Sequence, residues 1–179
     1  MKSLNLGCGN AKIAGADNVD INPDCKADLT FDFKQTFPLA DQIYDEVYLF
    51  HVIEHIEKKF HHTLFGEIRR VLKDDGTLYV SYPEFSRIVQ NWLINRNTDR
   101  QYWEATIYGR QSWPSDYHVC AMDTLDFKQF LYERGLNVIS FLPEPIDQFN
   151  TICKIVKSEA PIMYEEVVFN EIFKEKVPK

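Results

Sequence analysis

Cysteine is scarce in this chain, four in 179 residues, and Cys8, Cys25, Cys120 and Cys153 stand far apart with no C-x-x-C pair. That spacing indicates neither a cysteine zinc cluster nor a disulfide framework, and it suits reduced thiols in a cytoplasmic compartment. Long apolar runs are missing too: none approaches the ~20 residues that a bilayer-spanning helix needs, so no membrane partner is expected. The sequence opens directly on a strand pattern instead of a charged and apolar leader. An excess of basic residues is also lacking, with 20 Lys and Arg against 27 Asp and Glu, a net charge of −7 and a pI near 5.2. Nucleic acid is therefore not favoured as a partner, since phosphate binding is driven by Lys and Arg releasing counterions. Internal repeats and low-complexity linkers are absent. What remains, 45% hydrophobic and 26% charged, is the composition of an ordinary globular domain, long enough to bury a core.

The most informative stretch comes first. Lys2-Ser3-Leu4-Asn5-Leu6 reads as a short buried strand running into Gly7-Cys8-Gly9-Asn10. Two glycines around one small residue let the backbone bend sharply and let a ligand approach with no Cβ in the way. In open α/β sheets, ligands sit at such strand ends. A second strand pattern, Asn18 to Pro23, carries Asp20, placed to accept from a ribose diol. A third, Ala27 to Phe33, also ends beside an acid, Asp32; a fourth, Tyr44 to Phe50, leads straight into His51-Val52-Ile53-Glu54-His55. The helical run Leu64 to Lys73 precedes a fifth strand, Gly76 to Pro83. Taken alone, Asp20 and Asp32 read as surface carboxylates or turn caps; their position at adjacent strand ends beside a glycine turn favours binding.

Five segments in this order carry a resemblance. Leu4-Asn5-Leu6-Gly7-Cys8-Gly9, Val19-Asp20, Asp32-Phe33, Phe50-His51-Val52-Ile53-Glu54-His55 and Glu67 to Gly76 are similar to successive motifs of the class I S-adenosylmethionine-dependent methyltransferases. The chain resembles a small, type-11-like member. The resemblance implies an α/β, Rossmann-like open sheet, mostly parallel and seven-stranded, with an antiparallel final strand. It implies S-adenosylmethionine as cofactor, with S-adenosylhomocysteine as product, held by Asn5, Gly7, Cys8, Gly9, Asn10, Asp20, Ile21, Asp32, Phe33, Phe50 and His51. Backbone amides of Cys8, Gly9 and Asn10 would face the cofactor carboxylate, and Asp32 and the Phe33 amide its adenine. The sequence departs from the family in lacking a third glycine and in having Asn5 where an acid is common. The links between the first three strands are short for parallel crossovers, so trimmed helices are expected there. Without an N-terminal extension, such as often covers the site in larger relatives, the lid is expected from elsewhere in the chain.

Other readings of the same residues are weaker. A nicotinamide or flavin dinucleotide fingerprint wants G-x-G-x-x-G and an acid about twenty residues later, whereas here the sixth position is Lys12 and the acid, Asp20, comes early. His51, Glu54 and His55 form H-x-x-E-H, similar to an inverted zinc-peptidase motif, but that needs a helix through the motif and a further ligand. Two readings from other classes stay open: a non-catalytic, cofactor-binding regulatory protein of the same fold, and a zinc hydrolase using those three residues.

Beyond Pro83, Phe85, Ile88, Val89, Trp92 and Leu93 keep helical spacing over about 84–95, residues 95–99 break it, and a helix resumes to Tyr108. The aromatics Trp92, Tyr102, Trp103, Tyr108, Trp113 and Tyr117, interleaved with Arg96, Arg100 and Arg110, are expected to cover the acceptor. Each ring taken singly is better read as core or as a dimer contact. A helix after Asp123 turns Leu125, Phe127, Phe130 and Leu131 inward and stops at Gly135. Two strands, 137–142 and 151–157, joined by a Pro-rich turn, complete the sheet. Residues 1–159 thus read as one methyltransferase domain, 1–82 holding cofactor and 84–122 covering the acceptor, with a helical tail over 160–179. The acceptor is expected to be a small molecule or glycan, the protein a monomer or homodimer. If the acceptor must lose a proton, His51, His118 or Glu54 is the base; no metal is expected.

Overall fold

The computed structural model describes residues 1–95, 100–143 and 149–157. The expected tail helix, the break after Asn95 and the Pro-rich turn lie outside the described residues. Among the described residues six strands form one sheet: β1 (Ser3–Leu6), β2 (Ala16–Val19), β3 (Tyr44–Phe50), β4 (Leu72–Pro83), β5 (Leu136–Pro143) and β6 (Asn150–Lys157), ordered β2-β1-β3-β4-β6-β5. The first four run parallel, and β6 lies antiparallel between β4 and β5. This is the expected open, mostly parallel Rossmann-like sheet with its antiparallel final strand.

One face of the central strands is apolar: Leu4 and Leu6 stand in register with Val47 and Leu49, and these with Leu78 and Val80, while the other face carries Ser3, Asn5, Glu46, Tyr48, Tyr79 and Ser81. Leu4, Leu6, Tyr44, Val47, Leu49, Leu78 and Val80 are all fully buried. On one face lies α1 (Lys58–Val71), whose His61, Leu64, Phe65, Ile68 and Val71 recur at helical spacing and point inward. With it packs α4 (Thr124–Tyr132), started by Asp123 accepting from the Leu125 and Asp126 amides and followed by Gly135 at φ 67°. Of its expected inward residues, Phe127 and Leu131 are buried, while Leu125, in the first turn, is 63% exposed.

The expected third strand is reduced to one parallel bridge, Val19 to Leu29. The Asp28 carboxylate stands where a ladder carbonyl would, accepting from both the backbone and the side-chain nitrogen of Asn18. Beyond Leu29, Phe31, Phe33 and Phe37 collapse into an aromatic trio with centroids 5.0 to 6.2 Å apart. The crossovers on this edge are trimmed further than expected: residues 7–15 form turns only, and a single 3-10 turn, Pro23–Cys25, follows β2. Beyond the carboxyl end of β4, α2 (Phe85–Ile94) and α3 (Arg100–Tyr108) pair over a small separate core of Ile88, Trp103 and Phe149. Of the apolar face expected on α2 only Ile88 is buried; Phe85, Val89, Trp92 and Leu93 are exposed.

Candidate functional site

At the carboxyl end of β1 the chain turns through Gly7 at φ 70° and Gly9 at φ 47°. A Cβ on Gly7 would lie 2.2 Å from Val52, so the glycine loop is packed directly against the residue that follows His51. Asp20, buried at the end of β2, closes the loop. Its carboxylate accepts from the Gly9 amide at 2.8 Å and, through its other oxygen, from the Asn22 amide at 2.8 Å. A carboxylate offers about four lone-pair sites, so each oxygen keeps capacity for a ligand hydroxyl. The amides of Cys8 and Gly9, expected to face a ligand carboxylate, are engaged instead by the Val19 carbonyl and by Asp20.

The loop owes its shape to a residue that the sequence reading passed over. Asn18, buried on β2, accepts from the Ile13 amide and the Asn5 side chain, and donates to the carbonyls of Ile13 and Ala16 and to Asp28. Asn5 is thus a brace beneath the loop, donating to the Ala11 carbonyl as well. Asp32 accepts from the Lys34 amide at 2.9 Å, a turn-capping bond, and the Phe33 ring is buried in its aromatic trio. Ile21 and Phe50, at the ends of β2 and β3, are partly open to solvent at 42% and 36%. Such apolar side chains at strand ends are what a stacked base would cover.

At the end of β3, His51 adopts the left-handed region at φ 55° while its amide continues the ladder to Ser81. Its Nδ1 lies 3.4 Å from Glu54 Oε1, and its Nε2 lies 3.3 Å from Ser81 Oγ and 3.5 Å from Asn150 Nδ2. Donation from Nδ1 to the carboxylate leaves Nε2 as the basic nitrogen. Ser81 and Asn150 were not foreseen: Ser81 arrives by strand register, and Asn150 from β6, 99 residues along the chain. Only Ile53–His55 of the H-x-x-E-H segment is helical, as one 3-10 turn. The helix that a zinc-peptidase arrangement requires is therefore not formed.

The loop after α3 comes back over this turn. His118 and Tyr108 join by a backbone bond at 3.0 Å, Gly109 takes φ 81°, and Asp116 accepts from the Ser112 amide and hydroxyl. The Val119 amide then donates to the Glu54 carbonyl at 2.8 Å. Between α3, this loop and the end of β3 opens a cavity of about 620 Å³ lined by His51, Glu54, Tyr102, Arg110, Trp113 and His118 among others. Of the aromatics expected to cover an acceptor, Tyr102 and Trp113 line it, whereas Trp103 is buried in the small core beneath. Burial holds the His118 imidazole below its ordinary pKa, against the pull of nearby Glu54. Burial pushes the other way on Asp116, whose net fall comes from its two Ser112 bonds.

Two neighbouring features therefore share one sheet edge: a glycine loop locked to a buried carboxylate, and a polar cavity one residue beyond its contact with Val52. The chain belongs to the methyltransferase-domain family, whose model matches residues 4–141. Among curated proteins none matches the sequence. Solved structures that share the fold include an S-adenosylmethionine-dependent methyltransferase of Methanosarcina mazei, 16% identical with TM-score 0.63 over 88% of this chain and 92% of that one. A glycopeptide N-methyltransferase complexed with S-adenosylmethionine superposes with TM-score 0.61 at 11% identity, over 87% and 81% of the two chains. The 1,6-didemethyltoxoflavin N1-methyltransferase of Burkholderia thailandensis, bound to its acceptor and S-adenosylhomocysteine, does so with TM-score 0.58 at 12% identity, over 88% and 71%.

Proposed function

We propose that this protein transfers a methyl group from S-adenosylmethionine to a small-molecule or glycan acceptor held in the cavity under α3. The observation that carries the reading is the buried Asp20 carboxylate bonded to the Gly9 amide, beside a loop that Gly7 keeps in contact with Val52. When bound, the cofactor supplies an electrophilic methyl group on a positively charged sulfur. Asp20 has the spare acceptor capacity for two ribose hydroxyls, Ile21 and Phe50 offer apolar cover for adenine, and Asp32 keeps one carboxylate oxygen beyond its bond to Lys34. Asn5, Cys8, Asn10 and Phe33 shape and wall that half.

The chain's own work is alignment: near-attack geometry can supply about 7–11 kcal/mol of the barrier. His51, oriented by Glu54, is the group to take a proton from an acceptor hydroxyl, with His118 across the cavity. Residues 1–82 serve the cofactor and 84–122 the acceptor, within one domain working in the cytoplasm as monomer or homodimer. Neither nucleic acid nor membrane is a partner in this reading. Among the described residues no helix is long and apolar enough to cross a membrane. The test is turnover on a panel of hydroxylated small molecules. His51→Gln and His118→Gln should each slow transfer while S-adenosylhomocysteine affinity stays within about 2-fold. If neither slows it, the assignment of the base is wrong.

A further inference from the structure

Glu54 presents an unexplained feature. The residue is 2% exposed, one oxygen faces His51, and the other, Oε2, has no hydrogen-bond partner among the described residues. A buried carboxylate oxygen without a donor is costly, and the cost points to an absent positive group or donor. Glu54 lines the cavity, and one ligand-capable atom from each of Glu54, His55 and His118 lies within 4.8 Å of the others.

His55 is prepared in the way metal-binding histidines are. His55 Nδ1 lies 3.0 Å from the Tyr117 carbonyl, so this nitrogen carries the proton and Nε2 keeps its lone pair. Its ring packs edge to face against that of His118 with centroids 4.9 Å apart. Ligand atoms bound about 2.0–2.2 Å from an ion at tetrahedral angles sit about 3.3–3.6 Å apart, so the widest pair of the cluster closes by about an ångström on binding. Two imidazoles and one carboxylate select a first-row transition cation over magnesium or calcium, which take mostly oxygen ligands.

We propose that Glu54, His55 and His118 form a binding site for a divalent transition-metal cation, with open positions toward the cavity for an acceptor oxygen. The site itself stands apart from the methyl-transfer reading; its use by an acceptor rests on that reading. A cation-bound hydroxyl is acidified. Its O–H bond breaks with the proton passing to His51 Nε2, and the electron pair stays on the oxygen. Glu54 then has two tasks, one oxygen on the cation and one on His51, which leaves His51 alone of the three as base.

Zinc is the probe. Calorimetric titration of the full chain with zinc should show one site, and Glu54→Gln and His118→Gln should each weaken it at least about 100-fold, the upper end of what removing an outer-shell partner does. His62→Gln, an exposed histidine on α1, should leave it unchanged within about 2-fold. In the wild type, imidazole nitrogen NMR should show His55 Nε2 and one His118 nitrogen shifting with zinc while His55 Nδ1 stays protonated, a readout that needs no variant to fold. No uptake, or equal uptake by wild type and both variants, overturns the site. S-adenosylhomocysteine is titrated alongside: its binding without zinc binding removes the metal site alone, and zinc binding without it removes the methyl-transfer reading alone.

Discussion

Arg70 on α1 is the test of how the cofactor-side edge is held without a crossover helix. Its guanidinium donates to Glu67 Oε2 at 2.6 Å, to Asp41 Oδ1 at 2.6 Å and to the carbonyls of Leu39 and Phe37 at 2.7 and 3.1 Å. Glu67 completes the clasp by accepting from the Phe37 amide at 2.7 Å. The 37–41 segment is thereby tied to α1 just after the stretch that bears Asp32 and Phe33. Arg70→Met keeps the aliphatic stem and removes every one of these bonds. Hydrogen bonds to charged groups contribute about 1.5–3 kcal/mol each, but Arg70 is 26% exposed and Asp41 73%, so the Asp41 pair counts for little. The net loss is about 2–4 kcal/mol, dominated by stranding Glu67 and two carbonyls. At about 2 kcal/mol per molar urea the unfolding midpoint falls by about 1–2 M. Arg70 holds the Glu67 carboxyl below its ordinary pKa. Its contribution is therefore full above the unfolded carboxyl value and is lost as the pH falls through the lowered folded one; Arg70→Met should flatten that acid limb. A change under about 0.5 kcal/mol, the range of ordinary surface substitutions, would refute the clasp.

Gly7→Ala combines a left-handed φ with a Cβ driven into Val52. It should cost about 2–5 kcal/mol by urea melts, whereas Gly66→Ala, inside α1 with nothing within 4 Å of the added Cβ, should stabilise by up to about 1 kcal/mol. Burial lowers the pKa of His61, whose Nε2 faces the Ile56 carbonyl at 2.8 Å. A lowered folded value means that the stability is fully present above about pH 6.5 and declines as the pH falls through the folded value. His61→Leu should remove that decline from the pH dependence of the thermal midpoint, and its persistence would exclude His61 as the source. In the acceptor half, Trp113→Ala should raise the acceptor KM while leaving S-adenosylhomocysteine affinity unchanged, because Trp113 lines the cavity; weaker S-adenosylhomocysteine binding would show that the two halves are not separate.

What could be read from the chain was local. Gly7, Gly9 and Asp20 lie within one turn and one short strand, and the β3 boundaries, Tyr44–Phe50, coincide with an uninterrupted strand pattern. Ala27 to Phe33 misled because its apolar residues suit a strand, while the outcome turned on Asp28 spending its carboxylate on Asn18. The α2 face was legible as periodicity, but nothing local tells whether another element covers it, and four of its five apolar residues stayed exposed. The acceptor half was the least legible. Glu54 meets His118 from a loop anchored through Gly109 and the Val119 amide, and His51 meets Asn150 from β6, two strands away in the sheet and 99 residues on in the chain. Those pairings depend on strand order and loop return, which no spacing in the sequence encodes.

The central claim is that the carboxyl edge of β1 and β2 grips an adenosyl sulfonium through Asp20. Isothermal titration with S-adenosylhomocysteine should show one site, weakened about 10-fold, or about 1.4 kcal/mol, in Asp20→Asn, which keeps the shape and loses the charge that strengthens such bonds. No uptake by the wild type, or equal affinity in both proteins, would contradict the account.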